Sequence, residues 1–322
     1  MHPWKTDLVV TPSTPIHLHD SVATFGSCFA DVIGNYLTTN KFNVLNNPFG
    51  TVYNPISIHR ILQMIGRKEM PDEIDFVESQ GTFFNYQFHS SFYGSSQEAL
   101  KEKIYTQIKL AHECLKSCQV VILTYGTAFV YRRKDNQQIV ANCHKMPSSL
   151  FAKELISAEM IVNSALETIA LLKELNPKVR VVTTVSPVRH TKDTLPLNSV
   201  SKSILRLCTH ELQKSGVDYF PAYEVMMDDL RDYRFYKSDR IHPTEEAESY
   251  IIEKFGEQYF DSTTKNLLVE WNSIRQSMQH KPFQPNSSVH QTFLRKTVER
   301  LERIRHSLAV EDEIKAIKSQ LL

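Results

Sequence analysis

Val22-Ala23-Thr24-Phe25-Gly26-Ser27-Cys28-Phe29-Ala30 is a short apolar stretch that runs through a glycine into a segment of helical character. Such a junction reads as a strand-to-helix turn carrying an activated serine. A serine hydroxyl barely ionises near neutral pH, so it needs a base beside it, and the base needs a partner that fixes its tautomer. Far along the chain, Asp239-Arg240-Ile241-His242-Pro243 offers an acid and an imidazole in one short segment.

Working outward from that turn, apolar β-branched runs alternate with longer segments of helical period, the pattern of crossover units around a parallel sheet. Strands are expected at residues 22–25, 42–45, 120–124, 179–185 and 218–220. Helices are expected at 28–37, 55–65, 97–115, 157–175, 199–214 and 244–260. The continuous apolar run Val120-Val121-Ile122-Leu123 predicts a strand covered on both faces. Residues 72–96, rich in aromatic side chains, read as an inserted β-excursion. Residues 129–142 alternate around Lys134-Asp135-Asn136 and predict a hairpin at the end of the third strand. Beyond Asp261 the chain turns polar and helical, broken by Pro282 and Pro285. Its apolar stripe, Val298, Leu301, Ile304 and Leu308, then Ile314, Ile317 and Leu321, fits helices laid on their own domain, with a subunit interface as the lesser alternative. The division is residues 1–260 for the main domain and 261–322 for a helical extension.

Composition narrows the function. With 322 residues and 41% hydrophobic content the chain can bury a large core. Lys plus Arg total 37 against 36 Asp plus Glu, so no net field draws it to nucleic acid or an anionic membrane. Arg132-Arg133-Lys134, the single short basic run, reads as a solvated hairpin tip. The N-terminal residues lack the apolar core of a secretory signal, and no stretch approaches the roughly 18 apolar residues of a membrane span. A cytoplasmic protein is expected. Five cysteines without a Cys-x-x-Cys unit suggest neither a disulfide framework nor a thiolate zinc site, and Cys114 and Cys118 read as buried free thiols. At His17 and His19 no metal is expected.

In open α/β sheets, ligands bind beyond the carboxyl ends of the strands, and there the unusual residues gather. Ser27 follows the first strand, Gly50 the second, Gly126-Thr127 the third, Ser186-Pro187-Val188-Arg189-His190 the fourth, and the Asp239/His242 loop the fifth.

With these blocks together, the chain resembles the GSCFA-domain family, a bacterial family placed within the SGNH hydrolase (GDSL-like esterase) superfamily. The motif stands intact at residues 26–30. Asn47-Pro48-Phe49-Gly50, Tyr125-Gly126-Thr127-Ala128, Ala141-Asn142-Cys143-His144-Lys145, Ser186-Pro187-Val188-Arg189-His190 and Asp239-x-x-His242-Pro243 look like further family blocks. The resemblance spans roughly residues 20–260. It implies a three-layer α/β/α domain of flavodoxin-like parallel-sheet type, and hydrolysis or transfer of an ester-linked acyl group, including O-acetyl on a carbohydrate, through an acyl-serine. Ser27 would be the nucleophile, His242 its base and then acid, and Asp239 the orienting carboxylate. The amides of Ser27 and Gly50 would be oxyanion donors. No metal or organic cofactor is required, and the partner would be a small-molecule or glycan ester; the oligomeric state is left open.

The third block departs from the superfamily pattern Gly-x-Asn-Asp, having Gly126-Thr127-Ala128-Phe129 with no carboxamide. A hydroxyl from Thr127, or Asn142 reaching in from the hairpin, are the substitutes. If neither reaches, the alternative is a non-catalytic glycan- or metabolite-binding protein that keeps the cleft. Each residue also has a plainer role: helix capping for Ser27, a turn for Asp239, a structural hydrogen bond for His242. Asn142 and His144 either contact substrate or close the hairpin. Arg189 and His190 either bind an anionic or sugar-like group or decorate a surface loop. Cys28, at a helix start, is a rival nucleophile, as a cysteine-dependent acyltransferase would use it, but it is expected to pack inward.

Overall fold

A computed structural model describes residues 7–280 and 282–322; the segment read above for a signal lies partly outside them, at residues 1–6. The strands are β1 Ser21–Gly26, β2 Asn43–Asn46, β3 Phe76–Ser79, β4 Thr82–Asn85, β5 Val120–Tyr125, β6 Phe129–Arg133, β7 Ile139–Val140, β8 Phe151–Leu155, β9 Arg180–Val185 and β10 Asp218–Phe220. The helices are α1 Cys28–Thr39, α2 Pro55–Arg67, α3 Gln97–Ser117, α4 Ala158–Leu175, α5 Leu195–Gln213, the short α6 Ala222–Glu224, α7 Glu245–Tyr259, α8 Ser262–Met278, α9 Ser288–Ile304 and α10 Glu311–Lys318.

Five strands form one parallel sheet in the order β10-β9-β5-β1-β2. Side chains along each strand alternate between two cores. Ala23 and Phe25 of β1 and Val121, Leu123 and Tyr125 of β5 face α2, α3, α4 and α5. Val22, Val120, Ile122 and Val182 face α1 and α7, where Phe29, Ile33, Leu37, Ile251 and Phe255 are buried. This is a three-layer α/β/α arrangement, and it explains why β1, β5 and β9 read as unbroken apolar runs. Full burial of one such Leu, Ile or Phe contributes about 1.5–3 kcal/mol.

The excursion at 72–96 contains the β3-β4 hairpin, and a second small sheet, β7-β6-β8, stands over the end of β5. Tyr86, Val140 and Phe151 share a satellite core that joins the two. Residues 151–155, to which the sequence pattern assigns no element, form β8, antiparallel to β6. The basic run is not a solvated tip: Arg133 is buried, donates to Asp135 and Ile74 O, and lies over Tyr86, while Arg132 pairs with Glu154. Helix α5 begins at Leu195 rather than 199, because the Thr194 hydroxyl accepts from Leu197 N and a proline sits in the first turn.

In the C-terminal helices, Trp271, Ile274, Leu294, Leu301, Ile314 and Ile317 pack on one another. Trp271 Nε1 donates to Thr39 O at 3.0 Å and Lys41 pairs with Glu313, so the bundle sits against the end of α1. No helix among the described residues is long and apolar enough to cross a membrane.

Candidate functional site

In a sheet of this order the chain reverses direction between β1 and β5, and the crevice beyond their carboxyl ends is where such folds take ligands. Gly26 ends β1 at φ +139°, and a methyl there would fall 2.2 Å from Thr124 O, so only glycine lets the two strand ends approach. Ser27 follows as the N-cap of α1. Its side chain is 1% exposed; its Oγ accepts from Phe29 N at 3.4 Å, a long capping bond, and its amide donates to Thr124 O at 3.0 Å. Across the crevice is Gly126, where a methyl would lie 3.0 Å from Tyr53 O, 3.3 Å from His190 Nε2 and 3.3 Å from Ser27 Cβ. Ser27 and His190 therefore pack around the same bare Cα.

The acid and imidazole come from the loop after β10. An isolated antiparallel bridge, Tyr236 with Pro243, pinches the loop at its base, Lys237 N donates to His242 O at 2.8 Å, and Arg189 N donates to Ile241 O at 3.1 Å, tying the loop to the end of β9. Thr244 then caps α7. Asp239 Oδ1 accepts from Ile241 N at 2.8 Å and His242 N at 3.1 Å; Oδ2 stands 2.7 Å from His242 Nδ1. That hydrogen bond with the imidazole, followed by the two amides, holds the carboxyl at a pKa of about 2. With Nδ1–H donating to the carboxylate, Nε2 is left as the basic nitrogen.

His242 lines a cavity of about 410 Å³ walled by Tyr53, Phe129 and Tyr131 and by Lys153, Arg189 and His190. Burial, helped by the charges of Lys202, Lys153 and His242, pushes the His190 pKa down to about 3, and its Nε2 is buried without a hydrogen-bond partner among the described residues. Beneath lies Lys202, wholly buried, donating to Gly126 O at 2.8 Å and Ser186 O at 2.6 Å; burial pushes its pKa down to about 7. It clamps the ends of β5 and β9 together from below.

Thr127, Arg189, His190 and His242 line one cavity, with Asp239 bonded to His242; Ser27 is not among the lining residues and is linked to them through its packing at Gly126, opposite His190. No hydrogen bond joins Ser27 to His242 among the described residues. The Gly50 amide donates to Asn47 O at 2.8 Å, so both amides expected as oxyanion donors are engaged by backbone carbonyls. The Thr127 hydroxyl, on the cavity wall, bonds Ser201 Oγ at 3.1 Å and accepts from Phe129 N. Neither Asn142 nor His144 is among the residues that line the cavity. Asn142 Oδ1 accepts from His144 N at 2.8 Å, and His144 is buried against Phe84 with Nε2 on Asn85 O, its pKa pushed down by burial to about 4. Cys28 does not pack inward: it is the partly exposed member of the turn, its Sγ 3.6 Å from the hydroxyl of Tyr53. Sequence reasoning also missed Asn54, a buried carboxamide on the cavity wall that caps α2 through Ser57 N. Its signal was present, an Asn-Pro pair at a helix start.

Two comparisons with solved structures are distant. A carbohydrate esterase family 3 structure from Talaromyces cellulolyticus aligns with 78% of this chain and 99% of its own at 8% identity and a TM-score of 0.36. The acetyl xylan esterase Est2A from the rumen bacterium Butyrivibrio proteoclasticus aligns with 82% of this chain and 66% of its own at 10% identity and a TM-score of 0.29. No curated protein matches the chain. Family matches are extensive: the GSCFA family covers residues 21–255, and the C-terminal domain of GSCFA domain proteins covers residues 271–322. The first match alone spans most of the sequence and takes in both the turn at Ser27 and the Asp239/His242 loop, so this protein belongs to the GSCFA family.

Proposed function

We propose that this protein hydrolyses or transfers an ester-linked acyl group in the manner of the SGNH hydrolases, O-acetyl on a carbohydrate included. The observation that carries the reading is the Asp239–His242 pair at 2.7 Å, with the imidazole on the wall of a cavity that Thr127, after β5, and Val188 to Asp193, after β9, also line. His242 Nε2 removes a proton from the attacking hydroxyl and returns it to the leaving alcohol, and Asp239 stabilises the imidazolium between the two steps. Ser27 attacks once its Oγ turns from the Phe29 amide. Of the oxyanion donors, the amide of Cys28, at the first position of α1, has no intrahelical acceptor by its place in the helix. Asn54 supplies the carboxamide that the third block lacks, its Nδ2 carrying one hydrogen beyond the one given to Ser57 Oγ.

A second reading puts the acyl group on Cys28, favoured by its partial exposure beside Tyr53 while Ser27 is buried. Fluorophosphonate labelling and turnover of aryl acetates, run on wild type, Ser27→Ala and Cys28→Ala, separate the two. Loss of both signals in Ser27→Ala alone supports the serine; loss of turnover in Cys28→Ala alone, with inactivation by iodoacetamide, supports the cysteine. Folded wild type that neither labels nor turns over any ester leaves the non-catalytic binding protein.

A further inference from the structure

The charged groups on the cavity wall are unequal. Lys153, Arg189 and Lys192 are cations; Asp193 is the one carboxylate among the lining residues, and it is already engaged by Lys153. His190 is held neutral, and Asp239 lies behind His242, bonded to its imidazole and to two amides. Arg189 makes no ion pair among the described residues. Its guanidinium lies 4.2 Å from the ring centre of Tyr236 and 5.2 Å from that of Tyr233. Its side chain also hydrogen-bonds Tyr236; a guanidinium carries five N–H donors, so donors remain for a planar anion. The backbone of Arg189 is bonded to Ile241, one residue from His242, and Arg189 and His242 line the same cavity. Tyr53, Phe129 and Tyr131 supply flat apolar surface around it, and about 410 Å³ is room for a sugar unit rather than a long acyl chain.

We infer that the cavity takes a carboxylate-bearing saccharide ester, a uronic-acid type of substrate, with its carboxylate on Arg189 and its ring against the tyrosines. This rests on the esterase reading only for the word ester; the binding of the anionic sugar stands by itself. In binding, no bond is made or broken: a carboxylate exchanges water for the guanidinium N–H groups, leaving the ester carbonyl to the crevice below.

The test pairs methyl glucuronoside with methyl glucoside, as free sugars in calorimetric titrations and as their acetyl esters in initial-rate assays. Wild type should bind the uronoside about ten- to a hundredfold more tightly, as one charge-assisted hydrogen-bonded pair provides, and the preference should shrink with added salt. Arg189→Gln should bring the ratio near one, and Lys192→Gln, at an exposed position, should lower it by a smaller factor. Selective uronoside binding without any ester turnover upholds this inference and removes the esterase reading. Turnover of both acetyl esters without selectivity does the reverse. Equal affinity for the two sugars, no measurable binding of either, a sugar phosphate bound more tightly than the uronoside, or a ratio unchanged in a folded Arg189→Gln protein overturns the inference.

Discussion

Replacing Asp239 by Asn tests the proposed base more sharply than deleting His242, because the structure says which bonds survive. The carboxylate accepts three hydrogen bonds, from Ile241 N and His242 N on Oδ1 and from His242 Nδ1 on Oδ2. An asparagine can turn its carbonyl oxygen to the two amides and keep the loop, which the Tyr236–Pro243 bridge and the Arg189–Ile241 bond also hold. It then points an NH₂ at Nδ1. Two donors cannot face each other, so the imidazole moves its proton to Nε2, the nitrogen that should be accepting one. In triads built this way the same change lowers turnover by about 10⁴-fold with the geometry intact. The expected outcome is a loss of about 10³–10⁴ in kcat for an aryl acetate, with KM within a few fold and an unchanged circular dichroism spectrum and melting temperature. Combining the substitution with His242→Ala should cost little more than the worse single change, since groups acting as one unit are not additive. A folded Asp239→Asn protein within tenfold of wild-type turnover would refute the assignment of His242 as base.

Gly126→Ala places a methyl 3.0 Å from Tyr53 O and 3.3 Å from both His190 Nε2 and Ser27 Cβ. It should lower turnover by about a hundredfold through displacement of the turn while costing about 1–3 kcal/mol by crowding; kinetics and urea unfolding on one preparation check both, and wild-type values in each would sink the packing argument. Burial holds His59 and His190 at pKa values of about 3 and His144 at about 4. Their folded values lie below the ordinary 6.5, so the unfolded chain binds more protons below that pH, and stability present above it is lost as pH falls towards 4. With three sites the slope approaches about 4 kcal/mol per pH unit near pH 5; urea midpoints that agree at pH 5 and 7 would contradict this. Lys202, held near 7 by burial, gives the opposite end of the scale. Between about pH 7 and the ordinary lysine value the unfolded chain carries the extra proton, so stability gains up to about 1.4 kcal/mol per unit as pH rises. Lys202→Met should remove that gain and leave Gly126 O and Ser186 O unpaired, at about 1–3 kcal/mol each; identical pH slopes for variant and wild type would refute it.

The central sheet was legible because burial on both faces writes itself as an unbroken run: Val120 and Ile122 point into one core and Val121 and Leu123 into the other, so no polar position interrupts them. The Asp239/His242 segment was legible because three-residue spacing lets a carboxylate cap its own loop and reach Nδ1 together. What escaped was governed by contacts distant in sequence. Strand β8 carries the charges Lys153 and Glu154 in place of an apolar run and forms by pairing with β6, and Lys153 reaches the cavity through that pairing. Lys202 looks like any helical lysine; its burial follows from two carbonyls, 76 and 16 residues away, that no periodicity reveals.

The turn at 26–28 carries the same lesson to the reacting atom. One residue along a helix swings a side chain by about a hundred degrees, so either Ser27 or Cys28 faces the crevice as the chain enters α1, and the direction of entry is set by Gly26. At φ +139°, with Thr124 O pressed against its Cα, Gly26 brings the chain in so that Ser27 is buried as the cap and Cys28 is partly exposed towards Tyr53. Serine is a favoured cap, and capping draws its Oγ to the Phe29 amide; the 3.4 Å length of that bond makes it weak, and so the cap is cheaply released. Rotation of Ser27 about its Cα–Cβ bond therefore needs little free energy from this hydrogen bond. A glycine-to-alanine change at 26 would force the β1 and β5 ends apart, and for that reason both nucleophile readings require Gly26, while only the serine reading requires the cap to open.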